Sequence, residues 1–171
     1  NVKSENILVA STGVIGQYLP MVKIKSGMKK LVSQFRNFTI PYEDKFLQFL
    51  KSEMVSSAVE GIMTTDTIIK VQSSEFRVQG SKITIWGCAK GSGMIEPNLA
   101  TMLSFILTDA QITKEALSRA LKIATELSFN CLTVDGDTST NDTVFVLANG
   151  AAKNKLISDG KNFQLFCAQL T

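Results

Sequence analysis

Ile83-Thr84-Ile85-Trp86-Gly87-Cys88-Ala89-Lys90-Gly91-Ser92-Gly93-Met94-Ile95-Glu96-Pro97-Asn98-Leu99-Ala100-Thr101-Met102-Leu103-Ser104-Phe105-Ile106-Leu107 decides the fold. The β-branched and aromatic run at 83–86 makes a strand, and the glycines from 87 to 93 mark a flexible loop that carries a single lysine, Lys90. A proline turn at Pro97 leads into Ala100-Thr101. Met102 to Leu107 is almost wholly apolar, as in a strand buried on both faces. A threonine hydroxyl at the mouth of such a strand is suited to attack a carbonyl, that of its own preceding residue included. Thr101 is therefore the candidate nucleophile.

Outward from this stretch, Phe76-Arg77-Val78 and Ile83–Trp86 flank Gln79-Gly80-Ser81-Lys82 and predict a hairpin. Thr67 to Val71 reads as a β-branched strand, and Ile7 to Ala10 as a short one ending at Ser11-Thr12-Gly13. Leu19 to Lys51 has helical character, with Pro20 near a start and Pro41 forcing a break; Tyr42 to Met54 continues at mostly helical spacing. Downstream, Thr113 caps a helix whose predicted apolar face is Leu117, Leu121, Ala124 and Leu127. Val144 to Leu147 predicts another buried strand, ended by Asn149-Gly150, and Phe163 to Leu170 an amphipathic segment. No internal repeat or low-complexity linker divides the chain. One domain over 1–171 is expected, α+β or layered α/β.

Composition narrows the chemistry. At 171 residues, with 44% hydrophobic and 19% charged residues, the chain can bury a core and is not disordered. A net charge of +3 is too small to call for a nucleic-acid partner, and Lys23, Lys25, Lys29 and Lys30 are read as a solvated helix face. No run of 18 apolar residues predicts a membrane span. The chain starts at Asn1 without an initiator methionine or a signal-peptide pattern, so a processed chain or a piece of a longer one is expected. Cys88, Cys131 and Cys167 form no CxxC pair, which suggests a reducing, cytoplasmic compartment. Histidine is absent. Ser-His-Asp and Cys-His devices are thereby excluded within this chain, zinc has few candidate ligands, and a nucleophile must use a lysine, a carboxylate or an α-amino group as base.

Ser11-Thr12-Gly13 offers a backbone N–H and a hydroxyl that can hold an oxyanion, or else an ordinary turn. Met63-Thr64-Thr65-Asp66-Thr67 sets hydroxyls and a carboxylate just before a strand, where threonine is also a plain strand residue. The glycine loop around Lys90 does not match G-x-x-x-x-G-K-[ST], which argues against nucleotide binding; its lysine suits a substrate carboxylate. Asp135 to Asp142 is rich in oxygens, but Thr140 and Val146 stand where a calcium loop needs glycine and glutamate. A rigid turn is expected there, and no metal site.

Taken together, the segments 10–16 (AlaSerThrGlyValIleGly), 63–67 (MetThrThrAspThr), 89–95 (AlaLysGlySerGlyMetIle), 97–103 (ProAsnLeuAlaThrMetLeu) and 134–143 (ValAspGlyAspThrSerThrAsnAspThr) resemble the ornithine acetyltransferase (glutamate N-acetyltransferase) family of arginine biosynthesis. The resemblance implies a layered sheet-and-helix fold and a precursor that cuts itself between Ala100 and Thr101. It implies Thr101 as nucleophile, Thr12 and Gly13 as oxyanion hole, and Thr64, Lys90 and Thr101 as substrate-binding residues. It further implies ping-pong transfer of acetyl from N-acetylornithine to glutamate, with 1–100 and 101–171 as parts of the α and β chains of one hetero-oligomeric enzyme. No cofactor is implied, and acetyl-CoA as a second acetyl donor is left open.

Two departures stand beside it. The segment from Gly27 to Glu60 is longer than expected, with Thr39 to Leu50 as a candidate insertion, and the family's precursor extends past this sequence at both ends. Two other readings stay open: a related-fold self-processing aminopeptidase that passes its acyl group to water, and a non-catalytic fragment whose threonine-rich turns are structural.

Overall fold

The structure is a computed structural model and describes residues 3–14, 16–36, 50, 52–91, 102–133 and 139–171. Four strands form one mixed sheet in the order β1 (Lys70–Val78), β2 (Ser81–Lys90), β3 (Leu103–Thr108), β4 (Thr143–Ala148). β2 runs antiparallel to both β1 and β3, and β4 lies parallel to β3. The main helices are α1 (Met21–Arg36), α2 (Glu53–Ile62), α3 (Lys114–Leu127) and α4 (Gly160–Leu170), with short 3-10 turns at Ser4–Asn6 and Phe129–Cys131. The fold is α+β, as expected.

The β1–β2 hairpin forms where predicted. Val78 pairs with Ser81, so the loop is only Gln79-Gly80, and both residues have positive φ (49° and 91°). Two consecutive left-handed residues give the tight turn whose twist matches a hairpin. β2 runs on to Lys90, so Gly87, Cys88, Ala89 and Lys90 are strand and not the loop that their composition suggests. The physical reason is the pairing on both sides: Ala89 faces Lys70 and Ser104, and Lys90 faces Leu103. Gly87 lies close against β3: a Cβ there would sit 3.4 Å from Ile106 Cγ1. The chain leaves the sheet only at Gly91, with φ of 140°.

Strand alternation builds two apolar layers. Ile83 and Ile85 point to one face and join Val78, Ile106, Ala120, Ile157, Phe166 and Cys167 under α3 and α4. Phe76 meets the Phe166 ring edge-on at 6.2 Å. Trp86 and Cys88 point to the other face and pack with Leu50 and Val59 beneath α2.

Thr113 caps α3 as predicted, its hydroxyl accepting the Ala116 N–H at 3.2 Å. The buried stripe is Ala116, Ala120 and Ala124, however, while Leu127 is 65% exposed. Alanine at i, i+4, i+8 lets the helix sit close to the core, and the leucines flank the seam. Overpacking that seam with Ala120→Leu is expected to destabilise the protein by about 1–3 kcal/mol, read as a lower melting temperature.

Other elements depart from expectation. Ile7–Ala10 forms no strand, because no partner strand pairs with it among the described residues; Val9 is 82% exposed. The first strand starts at Lys70, three residues later than the predicted Thr67, since pairing with β2 begins at Lys70↔Ala89. Val144–Leu147 does form a strand, but as the half-buried edge of the sheet. α2 falls where the sequence suggested only the end of a helix, and most of the Tyr42–Met54 prediction, with the candidate insertion, lies outside the described residues.

Candidate active site at one end of the sheet

Topology gathers the chemistry. In an antiparallel β1–β2–β3 run, the start of β1, the end of β2 and the start of β3 share one end of the sheet, and parallel β4 adds its own start there. Lys90, Leu103 and Thr143 stand in register across the three strands. The segments that lead into or out of this end are 63–67, 89–91, 102–103 and 139–143, so four of the five stretches quoted above meet here.

Lys90 is the centre of the arrangement. Alternation along β2 puts it on the Trp86–Cys88 face, and it is only 2% exposed. Among the described residues its ammonium has no ion-pair or hydrogen-bond partner. Burial pushes its pKa below the ordinary lysine range, and the Asp66 and Asp142 carboxylates act in the opposite direction.

Asp66 is a buried clamp, with its side chain 1% exposed. It accepts the Gly91 N–H at 2.8 Å, the Thr64 N–H at 3.5 Å and the Lys70 ammonium. Burial alone would raise its pKa, but the Lys70 ammonium and the two N–H donors outweigh that and hold the carboxyl below its usual value. One side chain thus ties the turn bearing Thr64 to the residue after Lys90. Removing it deprives the part-buried Gly91 N–H of its acceptor, so Asp66→Ala is expected to cost about 1–2 kcal/mol in urea unfolding.

Asp142 holds the other side. Its Oδ1 accepts the Met102 N–H at 2.8 Å, while the Met102 carbonyl accepts the Thr143 N–H at 3.0 Å. Burial raises its pKa; the Met102 N–H, the Ser139 hydroxyl and the Lys90 charge work against that rise. Sequence reasoning assigned no site role to Asp66 or Asp142. The available signal was their position inside the two carboxylate-bearing stretches.

Asp66 therefore ties the backbone of Thr64 to that of Gly91, the residue that follows Lys90. Thr101 and Ala100 lie outside the described residues, as do 134–138 and most of the glycine loop. Thr12 is half-buried and Gly13 exposed, and a Cβ at Gly13 would lie 3.5 Å from Leu19 Cδ2. No hydrogen bond among the described residues links 3–36 to the sheet. No helix among them is long and apolar enough to cross a membrane.

The described residues thus form an α+β domain with a buried lysine flanked by two aspartates at one end of its sheet. The sequence profile of the ArgJ family matches residues 1–171, and the chain belongs to that family. The arginine biosynthesis bifunctional protein ArgJ of Thermotoga neapolitana is 47% identical over 159 residues, covering 93% of this chain and 36% of its own length. ArgJ 1 of Clostridium acetobutylicum is 47% identical over 166 residues (96% of this chain, 37% of its own), and ArgJ of Bacillus subtilis 44% over 160 (92% and 35%). The chain thus spans a little over a third of the length of these relatives.

Proposed function

We propose that this chain carries the nucleophile and part of the substrate pocket of an acetyltransferase of arginine biosynthesis. The relatives' names support the pathway, and the observation that carries the site is the buried Lys90 ammonium at the sheet end from which Met102 enters β3. In the precursor, the Thr101 hydroxyl attacks the Ala100 carbonyl. The C–N bond breaks, an ester forms, and water releases the Ala100 carboxylate and a Thr101 that bears both a free amine and a free hydroxyl.

An α-amine titrates near pH 7.7–8.0 when unperturbed, so it serves as the local base that a chain without histidine lacks. The hydroxyl then takes acetyl from N-acetylornithine: the amide C–N bond breaks, ornithine leaves with a proton, and an acetyl ester remains on Thr101. The glutamate amine attacks that ester and the hydroxyl is regenerated. Thr12 and Gly13 serve as the oxyanion donors, and Thr64 with Lys90 holds the α-carboxylate that both substrates share. The 1–100 and 101–171 pieces remain in one oligomeric enzyme, at work in the cytoplasm.

Intact mass of the full-length protein under denaturing conditions tests this reading. Two species that divide at Ala100–Thr101, together with glutamate-dependent release of ornithine from N-acetylornithine, are the expected result. A folded, uncut and inactive protein would remove the nucleophile from the argument, and amine release without any need for glutamate would replace the acetyltransferase with a hydrolase.

A further inference from the structure

The lysines at this sheet end are unequally paired. The Lys70 ammonium meets the Asp66 carboxylate, which also accepts the Gly91 N–H at 2.8 Å. The buried Lys90 ammonium has no direct partner among the described residues, although the Asp66 charge reaches it. The two lysines also lie on opposite faces of the sheet. Lys70 pairs with Ala89, so it shares the face of Ile83 and Ile85, whereas Lys90, one residue further on, lies on the face of Trp86 and Cys88. Lys70 accordingly lines a cavity with Ala89, Ser104 and Gln169, on the side of α3 and α4. Asp66 thus binds the cation of one face and leaves that of the other unpaired.

A carboxylate whose side chain is 1% exposed has little water to turn to, so its charge must be met by the protein. Without Lys70, that charge acts on Lys90 uncompensated, and an ammonium drawn to one carboxylate is a poorer host for a second. We propose that Lys70 is a positioning residue for substrate binding: from the far face of the sheet it occupies and neutralises Asp66, and so leaves the Lys90 ammonium free for the substrate carboxylate. This rests on the reading of Lys90 as the substrate contact. The role has a signature that a structural clamp lacks. A clamp acts through the fold, whereas a screening lysine acts through the Asp66 charge and loses its effect when that charge is removed.

The test measures KM for N-acetylornithine, kcat and melting temperature in the full-length protein and its variants. Lys70→Met is expected to raise KM ~10-fold, the scale on which one uncompensated charge acts at close range in a part-buried site, and to change kcat less than KM. Lys70→Arg restores the charge and is expected to bring KM back to within about threefold of the native value. Asp66→Asn keeps an acceptor for the Gly91 N–H and removes the charge. In that background, the same Lys70→Met change is expected to leave KM unaltered within about twofold. An equal rise in both backgrounds overturns the proposal, because the Asp66 charge then plays no part. A Lys70→Met protein whose KM is unchanged overturns it too, and leaves the pair purely structural. If Lys70→Met does not fold, Lys70→Gln takes its place with the same expectation. Lys90→Met runs in parallel: an unchanged KM there overturns the underlying reading of Lys90, which keeps the two failures distinct.

Discussion

Thr101→Ala is expected to leave the full-length chain as a single uncut species and to lower acetyl transfer by on the order of 10⁶-fold, the scale on which loss of a covalent nucleophile acts. Both losses have one cause, since a single hydroxyl is assigned to the cut and to the acetyl ester. Thr101→Ser keeps an oxygen in place and continues to cut, because the attack needs the hydroxyl and not the methyl. Mass spectrometry reads the first outcome and an ornithine-release assay the second. A Thr101→Ala protein that is cut or active would sink the mechanism.

Lys90→Met is the second large effect, and it separates function from stability. The ammonium is buried without a direct partner among the described residues, so its desolvation is incompletely offset. Methionine has similar length and no charge to desolvate. The variant is therefore expected to melt no lower than the native protein while its KM for N-acetylornithine rises ~30-fold, equivalent to about 2 kcal/mol for one charge-assisted contact. A melting temperature that falls with KM unchanged would make Lys90 a structural residue.

The pH dependence follows from the same burial. The folded-state pKa of Lys90 lies below its value in the unfolded chain, so between the two the unfolded state binds more protons and stability rises with pH. Substrate binding moves the other way. KM for a carboxylate substrate climbs as the ammonium loses its proton, beginning below the ordinary lysine range near 10.4. In Lys90→Met the Lys90 contribution to both slopes is lost, leaving the opposite stability slope of Cys88 and Cys167, whose thiol pKa values burial raises.

The parts legible in sequence were those set by neighbours in the chain. Gln79-Gly80 made the hairpin, Thr113 the helix cap, and the apolar run after Met102 the central strand, each through interactions a few residues long. Lys90 was recognised as chemically special but placed in a loop, because glycine at 87 signals a turn locally and a close strand approach only once Ile106 is beside it. Beyond their place in two carboxylate-bearing stretches, the roles of Asp66 and Asp142 were not legible. Their acceptor bonds span 25 and 40 residues and exist only because the sheet brings the ends of β2 and β3 to the strand entries opposite them.

The hydrogen-bonded ladder from Ile85↔Thr108 to Lys90↔Leu103 crosses the proposed cut, with β2 on one side of it and β3 on the other. After cleavage these central strands belong to separate polypeptides that share one core. Folding before the cut is a first-order search by one chain; reassembly after it is a second-order encounter between two. The mature protein would then grow more resistant to denaturation as its concentration rises, whereas the precursor would not, and a matured molecule once unfolded in dilute solution would have lost the connection that first brought its halves together.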